Sequence, residues 1–428
     1  MAPVFQPLAL ACLLLLTVSS STSWAATDEL DALKLEAEPV KAEKAAARPV
    51  RAFVEAAVGR AEQRYGLGSE SLQRVSVDVQ YQARLAPGWR AVVSDRLDAV
   101  HPKAANDSAV NTLREAYVGW QDDAGQRAVE FGRINLRMGP GYGYNPTDFF
   151  RAGSQRTVTT VDPIALRDNR MGTVALRAQN TWAGGSLALA LAPKLASKAS
   201  NAGFSLDLGA TNDRHRAQLV LSQKVGEGVS AQLLAFKQDG QSVAVGASAT
   251  ALLSDALVSH AEWSSAREPH LAARVAGAGL SAAATRADRA VLGLTLSAPG
   301  ATTLTAELQY NGFALSGSQW SALATGAGGV QRLGAYLLTA DQRLDLAARR
   351  AVLLYATKKN LVVKNLDLTA LIRLNVDDDS RLTWLELRYQ WARAELAMQW
   401  QQLQGGAVSE FGVLPTRSSL HVVGTYRF

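Results

Sequence analysis

From about Val50 onward, apolar and polar residues alternate one by one in short runs. The cleanest is Val75-Ser76-Val77-Asp78-Val79-Gln80-Tyr81-Gln82-Ala83-Arg84-Leu85, with apolar side chains at the odd positions and polar ones at the even positions. A period of two places each set on one face of a β-strand. The pattern recurs at Gly172–Trp182, Arg289–Ser297, Thr302–Tyr310, Asn365–Asn375, Leu382–Trp391 and Arg393–Trp400. It returns at the C-terminus, where Leu420, Val422, Gly424, Tyr426 and Phe428 share one face and Ser419, His421, Val423, Thr425 and Arg427 the other.

The segments between these runs come in two kinds. Ala86-Pro87-Gly88, Asp122-Asp123-Ala124-Gly125, Ala183-Gly184 and Ala298-Pro299-Gly300 carry the chemistry of tight turns. Roughly 60–72, 138–170, 194–213, 267–287, 311–348 and 403–417 are longer connections. If Arg51–Gly59 is the first strand, all the tight turns fall at one end and the longer connections at the other. That asymmetry is expected of an outer-membrane barrel with short periplasmic turns and long outer loops. The count comes to about 18 strands, an even number that leaves both termini on the periplasmic side, and about 16 fits the same pattern. Strands of about 9–11 residues suit a tilted path across a bilayer. The expected fold is therefore all-β, a transmembrane antiparallel β-barrel over residues 50–428. A large soluble β-domain would need a second layer of strands to cover the apolar faces.

Composition agrees with this picture and narrows it. Hydrophobic residues make up 48% of the chain, and mean hydropathy is −0.02. Beyond the N-terminus no stretch approaches the length of a transmembrane helix. Leu8 to Val18 is an apolar run followed by Ser23-Trp24-Ala25, which fits signal-peptidase cleavage, so residues 1–25 read as a signal peptide despite having no Lys or Arg. Cys12, the only cysteine, would leave with it. Residues 26–49 are Ala-rich and charged and read as a mobile or partly helical periplasmic extension. The net charge of +6 has no clustered basic stripe, which argues against nucleic acid as a partner. None of His101, His215, His260, His270 and His421 has a metal-ligand spacing, so no metal or cofactor is expected.

The densest motif runs from Glu130 to Phe150 and contains Gly139-Pro140-Gly141-Tyr142-Gly143-Tyr144-Asn145-Pro146-Thr147-Asp148-Phe149-Phe150, followed by Asp162-Pro163 and Arg167-Asp168-Asn169-Arg170-Met171-Gly172. With Asn111–Tyr117, Ala210–Arg214, Tyr310–Phe313 and Ser380–Glu386 it resembles a family of bacterial outer-membrane porin-like β-barrel proteins, broadly similar to alginate-export and phosphate-selective porins. The resemblance covers Val50 to Phe428. It implies an outer-membrane barrel and a pore, in a Gram-negative bacterium, and names no substrate. A closing strand ending in Phe428 also resembles the signal read by the barrel-assembly machinery, and the resemblance makes a homotrimer an assembly to test.

In the motif itself, Arg133, Asn135 and Arg137 alternate with Ile134 and Leu136, which predicts that one set faces the lumen. The glycines let the backbone leave the wall, and between Gly139 and Arg170 seven residues are Arg or Asp. Such a segment suits a loop folded back into a wet lumen, a constriction at 138–170 with Arg133, Asn135, Arg137, Asp148, Arg170 and Arg177 as the solute-contacting residues. The alternative is a structural turn whose Asn145, Asp148 and Asp162 cap backbone groups. The glycines also suggest a phosphate-binding loop, but the Lys-Ser/Thr and helix start it needs are missing.

On the clearest strands, inward arginines (Arg84, Arg90, Arg96, Arg373, Arg388, Arg393 and Arg427 among them) outnumber the acids Asp78, Asp98, Glu115, Asp367, Glu386 and Glu395. The excess predicts a preference for anions, unless these groups pair across strands and only stiffen the wall. Trp120, Trp182, Tyr389, Trp391, Trp400, Tyr426 and Phe428 read as an interfacial girdle against outer-membrane lipid. Stacking on sugars is open only to Trp384, Tyr142, Tyr144 and Phe149. The expected function is passive diffusion of small hydrophilic, preferentially anionic solutes, without catalysis. A non-conducting structural, adhesion or export barrel plugged by the 138–170 and 311–348 loops is the alternative. An outer-membrane hydrolase using Ser419 and His421, with Glu386 near them, is a remote third.

Overall fold

The structure is a computed structural model that describes residues 49–104, 107–275, 283–325 and 328–428. The expected signal peptide, and the extension up to residue 48, lie outside the described residues. Strands β1 (Val50–Gln63), β2 (Ser69–Ala86), β3 (Trp89–Ala104), β4 (Asp107–Gln121), β5 (Arg127–Ile134) and β6 (Thr173–Trp182) open the wall. They are followed by β7 (Gly185–Ala192), β8 (Arg216–Gly226), β9 (Val229–Gln238), β10 (Ala244–Ser254), β11 (Leu257–Glu268) and β12 (Thr285–Ala298). The last six are β13 (Thr302–Asn311), β14 (Arg350–Lys358), β15 (Leu366–Asn375), β16 (Ser380–Gln390), β17 (Ala394–Gln404) and β18 (Thr416–Arg427).

Each strand pairs antiparallel with its neighbours in sequence, and β1 pairs with both β2 and β18, so the 18-stranded sheet closes on itself. Closure leaves no edge, and this is the condition under which strands can sit in lipid. The alternation fixes the faces. On β2, Val75, Val77 and Val79 are exposed on the outside, while Ser76 and Asp78 are buried inside. On β18, Leu420, Val422 and Tyr426 face outward, as does the terminal Phe428, whose ring meets Tyr426 edge-on at 5.2 Å. Phe53 opposite Arg427 and Val58 opposite Val422 seal the seam with matching faces. Among the described residues no helix is long and apolar enough to cross a membrane. The strands supply the apolar exterior instead.

The connections at the end shared with the termini are short, as the turn chemistry predicts. At the other end the length is concentrated in a few connections, while those after β9 and β15 are brief. Short helices α1 (Pro163–Asp168) and α2 (Leu208–Thr211) lie in the connections after β5 and β7, and the connection between β13 and β14 contains two more, α3 (Gly317–Thr325) and α4 (Gly329–Gln342). Their buried Trp320, Leu333, Tyr336 and Ala340 pack with Leu271, Phe313 and Val413 into an apolar cap from several loops.

One stretch of wall departs from regular pairing. β5 stops at Ile134, whereas its neighbour β4 is nearly twice as long. The upper part of β4 finds other partners: Asn111 N–H donates to Gly203 O at 2.8 Å, and Gly172 N–H donates to Arg114 O at 2.8 Å. The Arg156 guanidinium donates to Asn111 O at 2.8 Å. The 193–215 connection thus completes the wall where β5 leaves it, and the chain from residue 135 is free to turn inward.

Candidate functional site: a loop drawn across the lumen

The connection from 135 to 172 leaves the top of β5 and reaches the opposite wall. Its glycine-rich part presents successive backbone N–H groups to two carboxylates, Glu262 on β11 and Glu307 on β13. Gly141 N–H donates to Glu262 Oε1 at 2.6 Å. Tyr142 N–H and Gly143 N–H donate to the two oxygens of Glu307 at 2.5 and 3.0 Å. Asn145 Nδ2 and Thr147 Oγ1 complete the shell of Glu262 at 3.0 and 2.8 Å. His260 Nε2 and Gln309 Nε2 approach Glu307 at 2.9 and 2.8 Å. Both carboxylates are almost fully buried. A buried anion is costly without partners, and successive backbone amides can form a concave cradle for one.

The glycines are required by this approach. Gly139 has φ +86°, and a Cβ there would lie 2.2 Å from a Glu262 oxygen. At Gly143 a Cβ would meet Gln309 and Leu353 at 2.7 Å. The segment therefore does cradle an anion, as its likeness to a phosphate loop suggests, but the anions are the protein's own side chains.

Further contacts hold the rest of the loop. Phe149 stacks on Phe236 of β9 with centroids 4.9 Å apart, and Phe150 meets the same ring edge-on at 5.5 Å. Tyr144 Oη donates to Asp345 Oδ1 at 2.5 Å, beside Arg151 at 3.1 Å, while Arg289 reaches the other oxygen at 2.9 Å. Burial alone would raise the Asp345 carboxyl, but Arg289 and Arg151 outweigh it and hold it well below the usual range. Asp345 follows α4, so this knot ties the loop to the helical connection above, as does Gly153 N–H to Gln342 O at 2.9 Å. Near the loop's far turn, Asp162 caps α1 (Pro163–Asp168) through Ile164 N–H at 3.2 Å. Burial pushes its carboxyl up to about 6, against the Ile164 N–H and with help from the Glu386 charge.

The structure brings some of the expected site residues together and separates others. Asp148 and Arg170 form a buried pair at 2.6 Å within the loop. Asn135 Nδ2 donates to Arg167 O at 3.2 Å, closing the loop's base. Arg137 pairs with Asp168 where both are exposed. Arg177 sits on the inner face of β6 with Glu130 at 3.2 Å and Gln179 at 2.8 Å. Arg133 stands apart from the lumen. It shares the outward parity of Val129 and Phe131, and its guanidinium donates to Leu113 O at 3.2 Å and Leu206 O at 2.5 Å. It pins the 193–215 connection at the wall's irregular stretch, and Ile134 takes the inward position, packed on Phe150 and Phe236. β5 ends at Ile134, so only Arg133 and Ile134 of the alternating set lie on the strand, and there Ile134 takes the inward face in place of Arg133.

Sequence reasoning missed Glu262, Glu307, Glu268, Asp345, Arg151 and Arg289. Glu307 lies inside the alternating run at Thr302–Tyr310, where polar parity could have placed it in the lumen. Tyr142, Tyr144, Phe149 and Trp384 are not open stacking platforms, because packing buries Tyr142, Tyr144 and Trp384 and covers one face of Phe149 with Phe236.

On the remaining wall, most inward charges have neighbours of opposite sign. Arg96 contacts Asp98 at 2.9 Å, Glu55 at 3.1 Å and Asp78 at 3.7 Å. Arg388 bridges Glu386 and Glu395 at 2.8 and 2.6 Å.

A closed 18-stranded barrel with apolar exterior and an inward-folded loop is the architecture of an outer-membrane porin. Solved structures agree at the level of fold. OccAB1 of Acinetobacter baumannii superposes with a TM-score of 0.56 at 10% identity, over 89% of this chain and 96% of that one. Pseudomonas aeruginosa OccK5 (OpdH) gives 0.53 at 9% identity, over 89% and 98%, and A. baumannii OccAB2 gives 0.52 at 10%, over 89% and 97%. The sequence matches no protein-family model and no curated protein.

Proposed function

We propose that this protein is an outer-membrane channel for passive diffusion of small hydrophilic solutes, with a preference for anions. The observation that carries this reading is the 135–172 loop, drawn from β5 to the far wall and held by Glu262 and Glu307. Barrels of this strand number enclose an aqueous lumen, and a pinned loop narrows it at a defined height. The loop keeps Arg137 exposed, and Arg177 lies on the wall beneath its origin. These two are assigned to solute contact, Asp148, Arg170 and Asn135 to the loop's shape, and Arg133 to the wall. Arginine presents a planar set of donors suited to carboxylate or phosphate. No bond is made or broken in this function. Export by the N-terminal signal, recognition of the terminal strand by the barrel-assembly machinery, and a homotrimer in a Gram-negative outer membrane belong to the same reading.

Planar-bilayer recording of the purified protein tests it. Discrete open-channel steps are expected, with selectivity shifting toward cations in Arg137→Glu and Arg177→Glu. A second reading, a plugged barrel that does not conduct, is favoured by the ties between Gly153, Arg151 and the α4 connection. Absence of conductance at every voltage would select it.

A further inference from the structure

We propose that the cavity between the 135–172 loop and the β8–β12 wall is a capture site for a small multivalent oxyanion, phosphate or a polycarboxylate, at the loop-rich mouth of the barrel. This deepens the channel reading above and rests on it. The cavity has a volume of about 180 Å³. That is room for several waters or for one such anion.

Its charge is unbalanced. Arg151, Arg214, Arg216, Arg274, Arg289 and Arg343 line it, against three carboxylates, Asp148, Asp213 and Glu268. Behind the lining, Asp345 pairs with Arg151 and Arg289, and Arg170 pairs with Asp148, which leaves the excess of arginine in place. The carboxylates are already shared: Glu268 alone receives Arg274 at 2.9 Å, Arg289 at 2.5 Å and Arg343 at 2.8 Å. Each guanidinium carries five N–H donors; Arg151 spends its own on Leu344 O, Asn145 O, Asp148 O and Asp345, while Arg289 and Arg343 reach their carboxylates through Nη2. Among the described residues, the buried Nε atoms of Arg216, Arg289 and Arg343 have no hydrogen-bond partner. Burial and the adjacent Arg343 push the Arg274 guanidinium down, the direction expected where positive charge is crowded. The Phe149–Phe236 stack and Ala244 form a low-dielectric side that strengthens attraction for an anion. Arg274 and Arg343 are about a quarter exposed, at 26% and 28% of their side chains, and offer the arms that can close on a ligand.

Equilibrium dialysis of the full-length folded protein in detergent, with inorganic phosphate or citrate at about 0.15 M salt, tests the site. Saturable binding of one anion per chain is expected. It should weaken by about ten-fold or more in Arg274→Ala/Arg343→Ala, the loss of two charge-assisted contacts, and persist in Arg350→Ala, an exposed arginine paired elsewhere with Asp377. If the double variant fails to fold, Arg343→Gln is read by the same criterion, since it leaves Glu268 two arginines. No saturable binding, or equal binding by wild type and variant, overturns the site. Bilayer currents from the same preparation separate the two ideas: conductance without saturable binding sinks the capture site alone, and binding without conductance sinks the channel alone.

Discussion

The two sides of the lumen use acidic residues for different ends. Around β1–β4 and β16–β18, carboxylates such as Glu55, Asp78, Asp98 and Glu395 meet arginines on the same or neighbouring strands. Around β11 and β13, Glu262 and Glu307 meet backbone amides of a loop more than a hundred residues away in sequence. The first arrangement is a mesh that stiffens the wall, the second an anchor for a segment that has left it. An acid beside a strand-mate arginine is a local matter, whereas an acid receiving loop amides fixes where a distant segment lies inside the barrel. Substitutions on the two sides should therefore separate stability from conductance.

The largest change is expected from Glu262→Leu with Glu307→Leu. Each lost charge-assisted hydrogen bond removes about 1.5–3 kcal/mol and strands amides that cost about 1–3 kcal/mol each when buried. The loop should detach, seen as a several-fold larger single-channel conductance and rapid proteolysis near Gly139. Unchanged conductance would mean the loop does not narrow the pore. Gly139→Ala should act in the same direction but less, since a left-handed non-glycine residue costs about 1–3 kcal/mol and the new Cβ strikes the Glu262 carboxylate.

On the mesh side, Arg96→Ala leaves Asp78 and Asp98 without their shared cation. Breaking a buried pair costs up to about 3–5 kcal/mol, less where the lumen is wet. A lower unfolding midpoint at near wild-type conductance is the expected outcome, and a conductance change as large as that of the Glu262/Glu307 variant would erase the distinction.

The smallest effect concerns pH. With its carboxyl raised from 3.8 to about 6, Asp162 holds its proton more tightly in the folded protein than in the unfolded chain. Stability from this group is therefore fully present below about pH 4 and is lost as pH rises through about 6, by at most about 3 kcal/mol. Asp162→Asn retains a capping side chain and should flatten that part of the pH–stability curve. An unaltered slope between pH 4 and 7 would show that Asp162 is solvated.

Much of the fold was legible because the strands of a barrel with an apolar exterior obey a local rule. Val75, Val77 and Val79 against Ser76 and Asp78 declare their faces by position alone, and Pro87-Gly88 declares a turn. The existence of the inward loop could also be read, since Gly139 to Gly143 permits backbone conformations closed to other residues. Its faces could not be. Arg133 sits one residue from the end of β5, where the wall is completed by the 193–215 connection, and the carbonyls of Leu113 and Leu206 that claim it belong to other segments. Alternation says that Arg133 and Ile134 face apart without saying which is inside.

The sequence by itself determined the class of architecture, the alternation of faces, the approximate strand number and the place where the chain leaves the wall. Each follows from neighbours within a few residues, through side-chain period and turn conformation. Only the tertiary structure decided what the loop holds: which carboxylates receive its amides, which arginines crowd beside Glu268, and which are spent on the wall. Those choices depend on the strand register around a closed barrel, which brings Gly141 to Glu262 and Tyr144 to Asp345, and no local pattern records a distance across a lumen.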